Sequence, residues 1–239
     1  MDRTFEIDRE DSLIIVDVQR DFCPGGALPV PDGDKVVSVL NEYIQIFIKA
    51  RAKIFATRDW HPPNHISFRG YGGTWPPHCI QGSKGAEFHP DLKLPEDVTI
   101  ISKAMDPSRE SYSGFDATEL NDELKKKGIK RIFVGGLATD YCVKNTVLDG
   151  LRLGFEVILL SDATRGIDAR PGDVAVAIED MLKKGAKEAT LSELSDSLGI
   201  LQEEKTTEKI EQETLRQTER KRKARLRTRG PYRKAHVES

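Results

Sequence analysis

The chain has 239 residues, 38% of them hydrophobic and 32% charged, with a net charge of −2. That is enough apolar material for one substantial α/β domain, and no apolar run approaches the roughly 18 residues of a membrane span. The three cysteines, Cys23, Cys79 and Cys142, lack paired spacing. This excludes a disulfide framework and leads us to expect free thiols in a reducing, cytoplasmic setting.

The charge is unevenly distributed. Residues 1–202 carry a net −7 and residues 203–239 a net +5. The expected organisation is therefore an acidic domain over residues 1–201 and a charged, basic extension over 202–239. The extension is helical or disordered, because it holds too few aliphatic residues for a core of its own.

Along the body, short apolar or β-branched runs alternate with helical patterns. Leu13–Val18, Ile54–Thr57, Val98–Ser102, Arg131–Gly135 and Val157–Ser161 read as strands buried on both faces. Lys35–Ala50, Thr118–Lys127, Thr139–Leu153 and Pro171–Lys184 read as helices, with Gly128 and Gly154 as C-terminal stops. A sixth, weaker strand falls near Glu188–Leu191. The repetition predicts a three-layer α/β fold: an open, mostly parallel sheet with helices on both faces.

In such a sheet, ligands bind beyond the carboxyl ends of the strands. Those ends carry Asp17, then Arg58 and Asp59, then Lys103, and, across a short turn, Cys142. Asp17 interrupts LIIVDV between apolar neighbours, where a carboxylate needs a partner. With Thr139 as N-cap, Cys142 falls in the first helical turn, whose unpaired amides favour a thiolate and can hold an oxyanion. A carboxylate can take the thiol proton and an ammonium can stabilise developing charge, so Asp17, Lys103 and Cys142 form the expected nucleophilic constellation.

The segment TRDWHPPNHISF offers a second cluster. Asp59 and His61, two apart in extended chain, point the same way, as two ligands of one metal would. His65 lies four beyond His61, but Pro62 and Pro63 forbid the shared helix face, so it is expected to support the loop. A third ligand has to come from elsewhere, and WPPHCIQG supplies both His78 and Cys79.

The stretches IIVDVQRDFCPGGAL, TRDWHPPNHISF, WPPHCIQGSKGAEFHPDL, ISKAMDPSRESYSGF and GGLATDYCVKNTVLDGLRLGFEVILLSDATRGI, in unbroken order from about residue 11 to 190, together resemble the nicotinamidases of the isochorismatase-like cysteine hydrolases. The resemblance implies a triad of Asp17, Lys103 and Cys142. It also implies a divalent metal, Zn2+ foremost with Fe2+ or Mn2+ as alternatives, on Asp59, His61 and His78. It implies an oxyanion hole from the main-chain amides of Ala138 and Cys142, with a cis peptide between Leu137 and Ala138.

The activity so implied is hydrolysis of nicotinamide, and of its analogue pyrazinamide, to the acid and ammonia through a thioester, a step of pyridine nucleotide salvage. Phe22, Trp75 and Tyr112 lie within the matching motifs and are the expected aromatic walls for the flat ring. Cys23 and Cys79 have no role in this scheme beyond structure. The alternatives are a related hydrolase of another small amide or carbamoyl group, or an added role in nucleic-acid binding. The latter would fall to Arg216–Lys234, which holds ten basic residues outside the family pattern. A homo-oligomer is compatible with the sequence, which does not specify one.

Overall fold

A computed structural model describes residues 6–194. The 202–239 extension and the domain boundary at 201 lie outside the described residues. Six strands form one parallel sheet in the order β3-β2-β1-β4-β5-β6. They are β1 (Asp11–Val16), β2 (Lys53–Asp59), β3 (Thr99–Lys103), β4 (Arg131–Leu137), β5 (Glu156–Arg165) and β6 (Lys187–Ala189). The helices are α1 (Lys35–Ala50), α2 (Leu120–Lys126), α3 (Lys144–Arg152) and α4 (Asp173–Lys183).

The continuous apolar runs form strands because both faces of the sheet are covered. On one face Ile14, Val16, Ile132 and Val134 pack with Leu120 and Leu124 of α2, Val147 of α3 and Met181 of α4. On the other face lies α1, with the Phe47 ring 5.2 Å from that of Phe133 on β4. Arg131 closes the foot of β4 onto β1 by donating from Nε and Nη2, each at 2.7 Å, to the two oxygens of buried Asp11.

Several boundaries differ from the sequence expectation. The first strand ends at Val16, because Asp17 adopts a left-handed φ of 50° that no strand can continue through. The fifth runs on to Arg165 through a register shift: Val134 pairs with Leu159, but Gly136 pairs with Thr164. The stretch read as one helix from Thr139 opens with a π-helical turn, Thr139–Val143, before α3 begins. Thr139 is not the N-cap. Its hydroxyl meets that of Thr164 at 2.8 Å, and Ala138 occupies the capping position. Gly128 and Gly154 do end α2 and α3 with φ of 72° and 91°.

Among the described residues no helix is long and apolar enough to cross a membrane.

Candidate active site

The strand order reverses direction between β1 and β4, so the crevice of the fold opens at their carboxyl ends. Asp17 leaves β1 there, Asp59 and Lys103 end β2 and β3, and the turn after β4 carries Cys142. Three left-handed residues bend the chain around this edge: Asp17, Cys79 immediately after His78, and Ala104 immediately after Lys103, with φ of 50°, 46° and 55°. Such conformations persist where surrounding contacts hold them, and they cluster at functional sites.

Lys103 sits at the centre. Its fully buried Nζ lies 2.9 Å from Asp17 Oδ2, donates to Asp59 Oδ1 and stands 3.4 Å from Cys142 Sγ. Burial disfavours the ammonium, but Asp17 and Asp59 together hold its pKa well above the ordinary value. Asp17 receives a 2.6 Å hydrogen bond from Thr57 Oγ1. Burial nevertheless raises its pKa to about 6, against the pull of Lys103. Burial also keeps the Cys142 thiol well above its usual range, with Asp17 and Asp59 adding to the effect and Lys103 opposing it. The helix start alone would favour a thiolate, but in this setting the resting group is a thiol. It needs a base, and oxygens of Asp17 and Asp59 lie within 4.8 Å of the sulfur.

Asp59, His61 and His78 form a second buried group, with one ligand atom from each all lying within 4.8 Å of one another. Several features fit a metal ion. His78 Nδ1 lies 2.8 Å from the Pro76 carbonyl, which can only accept, so a proton sits on Nδ1 and Nε2 is the nitrogen left to face a metal. His61 Nδ1 is buried without a partner, and burial lowers its pKa to about 4, leaving the ring neutral. Asp59 is held ionised: the Lys103 ammonium is the main influence that outweighs its burial. The other cluster of potential ligands, Asp17, Asp59 and Cys142, already encloses the Lys103 ammonium.

His65 packs its ring against that of His61, with centroids 4.5 Å apart, but is not one of the clustered ligands. Its Nδ1 meets Ser67 Oγ at 2.8 Å and its Nε2 the Arg109 carbonyl at 3.0 Å, so both nitrogens brace the loop. Cys79 is fully buried, and its amide donates to Asp21 Oδ2 at 2.7 Å. All three cysteines are free.

The cavity beside Cys142 is lined by Phe22, Trp75 and Tyr112 together with Ala138, Tyr141 and Ile167. Trp75 Nε1 donates to Tyr112 Oη at 3.1 Å, and Tyr141 packs against both rings at 5.2 and 5.7 Å. Phe22 lies 5.4 Å from the His78 ring. The peptide between Leu137 and Ala138 is cis.

Sequence reasoning missed three contributors. Tyr141 could have been found from its place beside Cys142. Thr57 and Gln19 carry no local signal. Gln19 is fully buried and clamps the Asp59 backbone, accepting from its amide and donating to its carbonyl, both at 2.8 Å.

A buried thiol beside a carboxylate and an ammonium, at the switch point of a parallel sheet, is an arrangement chemically suited to attack on an electrophilic carbon. Comparison with known proteins is specific. The isochorismatase domain model matches residues 11–193, and the chain belongs to this family. It is 39% identical to the nicotinamidase of Escherichia coli over 209 residues, spanning 79% of this chain and 98% of the relative. It is 34% identical to the nicotinamidase/pyrazinamidase of Mycobacterium tuberculosis, over 76% of this chain and 98% of the relative. Among solved structures, the pyrazinamidase of Pyrococcus horikoshii in complex with zinc matches with TM-score 0.73 and 54% identity, covering 76% of this chain and 99% of that one.

Proposed function

We propose that the protein is a metal-dependent cysteine amidohydrolase that converts nicotinamide to nicotinate and ammonia, with pyrazinamide as a second substrate. The observation that carries this reading is the pairing of two buried groups at one sheet edge, Asp17–Lys103–Cys142 and Asp59–His61–His78, beside a cavity walled by aromatic rings. The named relatives agree with it. Asp59, His61 and His78 would hold a divalent ion, Zn2+ by the donor set and the relative solved with zinc. When bound, such an ion supplies a Lewis acid that anchors and polarises the substrate.

The residues of the chain divide the remaining work. Phe22, Trp75 and Tyr112 flank the ring and keep the carboxamide carbon beside Cys142. Asp17 accepts the thiol proton as sulfur bonds to that carbon, and the carbonyl electron pair moves to oxygen. The amides of Ala138 and Cys142 receive that oxyanion. Asp17 then returns the proton to the amine nitrogen, ammonia leaves and a thioester remains. Water, giving its proton to Asp17, adds to the thioester carbon. Collapse expels the sulfur, which regains the proton from Asp17, and nicotinate is released. Lys103 stays charged throughout and fixes the carboxylate against the sulfur.

The test is product analysis with purified, metal-analysed protein in the presence of hydroxylamine. Nicotinate should appear, with nicotinohydroxamate formed at its expense as hydroxylamine intercepts the thioester. Absence of both products with folded, metal-loaded protein would refute the assignment.

A further inference from the structure

The turn that carries the nucleophile is tied to β5 by side chains that the mechanism above does not use. Between the pairings Val134 with Leu159 and Gly136 with Thr164, β4 advances by two residues and β5 by five. The slack in β5 brings the Thr164 side chain beneath the end of β4. Thr164 Oγ1 donates to the Gly136 carbonyl at 2.9 Å, and Thr139 Oγ1 lies 2.8 Å from Thr164 Oγ1.

Each hydroxyl has one proton. Because Thr164 gives its own to Gly136, the shared contact requires Thr139 to donate. The chain of bonds therefore runs from Thr139 to Thr164 to the Gly136 carbonyl. Both threonines are buried, at 1% and 5% exposure, so neither hydroxyl can exchange its partner for bulk water.

The ends of this bond chain bracket Ala138, since Gly136 lies two residues before it and Thr139 one after. The other side of Gly136 is equally confined: a Cβ there would sit 2.1 Å from the Val16 carbonyl on β1, so this position admits no side chain. The backbone around Ala138 is thus pressed against β1 from one side and pinned by Thr164 from the other. Asp140 adds a third tie, accepting from the amides of Ile167 and Asp168 at 3.0 and 2.9 Å.

We propose that Thr164 is a positioning residue for this enzyme: through its bonds to Thr139 and Gly136 it aims the Ala138 amide at the oxyanion formed when Cys142 attacks. The proposal rests on the amidohydrolase reading and assigns a role to a residue that touches neither substrate nor nucleophile. Loss of the hydroxyl leaves the Gly136 carbonyl without its side-chain donor and frees Thr139 to rotate toward the α3 start. The Ala138 amide then points less well at a charge that exists only in the transition state, so kcat falls and substrate binding does not.

Thr164→Val and Thr164→Ser are compared with the wild-type full chain in nicotinamide turnover, with equal metal content and thermal unfolding as the check on folding. Removing an oxyanion donor outright costs about 10²–10³ in kcat, and displacing one should cost roughly tenfold. Thr164→Val is thus expected to lose about tenfold in kcat with KM within about twofold. Inhibition by the aldehyde analogue of nicotinamide, whose thiol adduct places an oxyanion in the same hole, should weaken in parallel. Alkylation of Cys142 by iodoacetamide, which forms no oxyanion, should keep its rate. Thr164→Ser should restore all of these.

Thr139→Val, which removes only the first donor, is run alongside and should show the same split at smaller size, so a folding failure at position 164 leaves the proposal testable. Wild-type kcat in both valine variants, equal damage in valine and serine, or a parallel fall in alkylation would overturn the positioning role. A wild-type protein inert toward nicotinamide would instead reject the functional reading beneath it.

Discussion

Thr57→Val removes one hydroxyl next to Asp17, the proposed catalytic base, and leaves the shape of the site unchanged. Thr57 Oγ1 donates to Asp17 Oδ1 at 2.6 Å in a fully buried contact, while its Cγ2 faces Gly114, a contact valine retains. A hydrogen bond to a charged group contributes about 1.5–3 kcal/mol, and 1.4 kcal/mol corresponds to one pH unit, so its loss should raise the Asp17 pKa by about one to two pH units. Asp17 accepts a proton only when ionised. Its pKa in the wild type is raised to about 6, so kcat/KM should fall as pH drops through that value. In Thr57→Val the same acid limb should move to about pH 7–8, costing roughly tenfold at pH 6.5 and little at pH 9. The assay is kcat/KM for ammonia release between pH 5 and 9 for both proteins. An acid limb that stays in place, or a loss of activity equal at every pH, would show that Asp17 is not the group being titrated.

Two further outcomes follow from the site and the chain organisation. His61→Ala and His78→Ala should each lose most of the bound metal, whereas His65→Ala should keep most of it because both its nitrogens are engaged by Ser67 and Arg109; metal analysis after dialysis distinguishes them. A chain ended after Leu201 should still fold and hydrolyse nicotinamide, since every proposed catalytic and metal residue lies between Asp17 and Cys142. Circular dichroism with turnover checks this, and a folded but inactive truncation would implicate the 202–239 extension in the site.

Much of the fold was legible because strands of a parallel sheet, buried on both faces, appear as unbroken apolar runs, and because Gly128 and Gly154 mark helix ends by their left-handed backbone. Asp17, Lys103 and Cys142 were legible for a related reason: each follows such a run, and the strand ends of this architecture converge. The second half of β5 was not. Asp162 and Thr164 interrupt its apolar pattern, and they do so because their side chains have partners distant in sequence, Tyr43 for Asp162 and Thr139 for Thr164.

Thr139 misled for the same cause. Its type and position match a helix cap, but a buried hydroxyl on the neighbouring strand claims it. Spacing alone could not choose between His78 and Cys79, since the loop conformation decides which side chain faces Asp59. Gln19 and Thr57 act across forty residues each, a separation that no local pattern encodes.

The most direct test of a sulfur nucleophile at the end of β4 is ammonia release from nicotinamide by the wild-type protein and by Cys142→Ala at equal metal content. The wild type should release ammonia and nicotinate in equal amounts, and the variant, folded and still holding its metal, should release neither. Substantial turnover by the alanine variant would contradict the thioester route, and an inert wild type would contradict the assignment of nicotinamide as substrate.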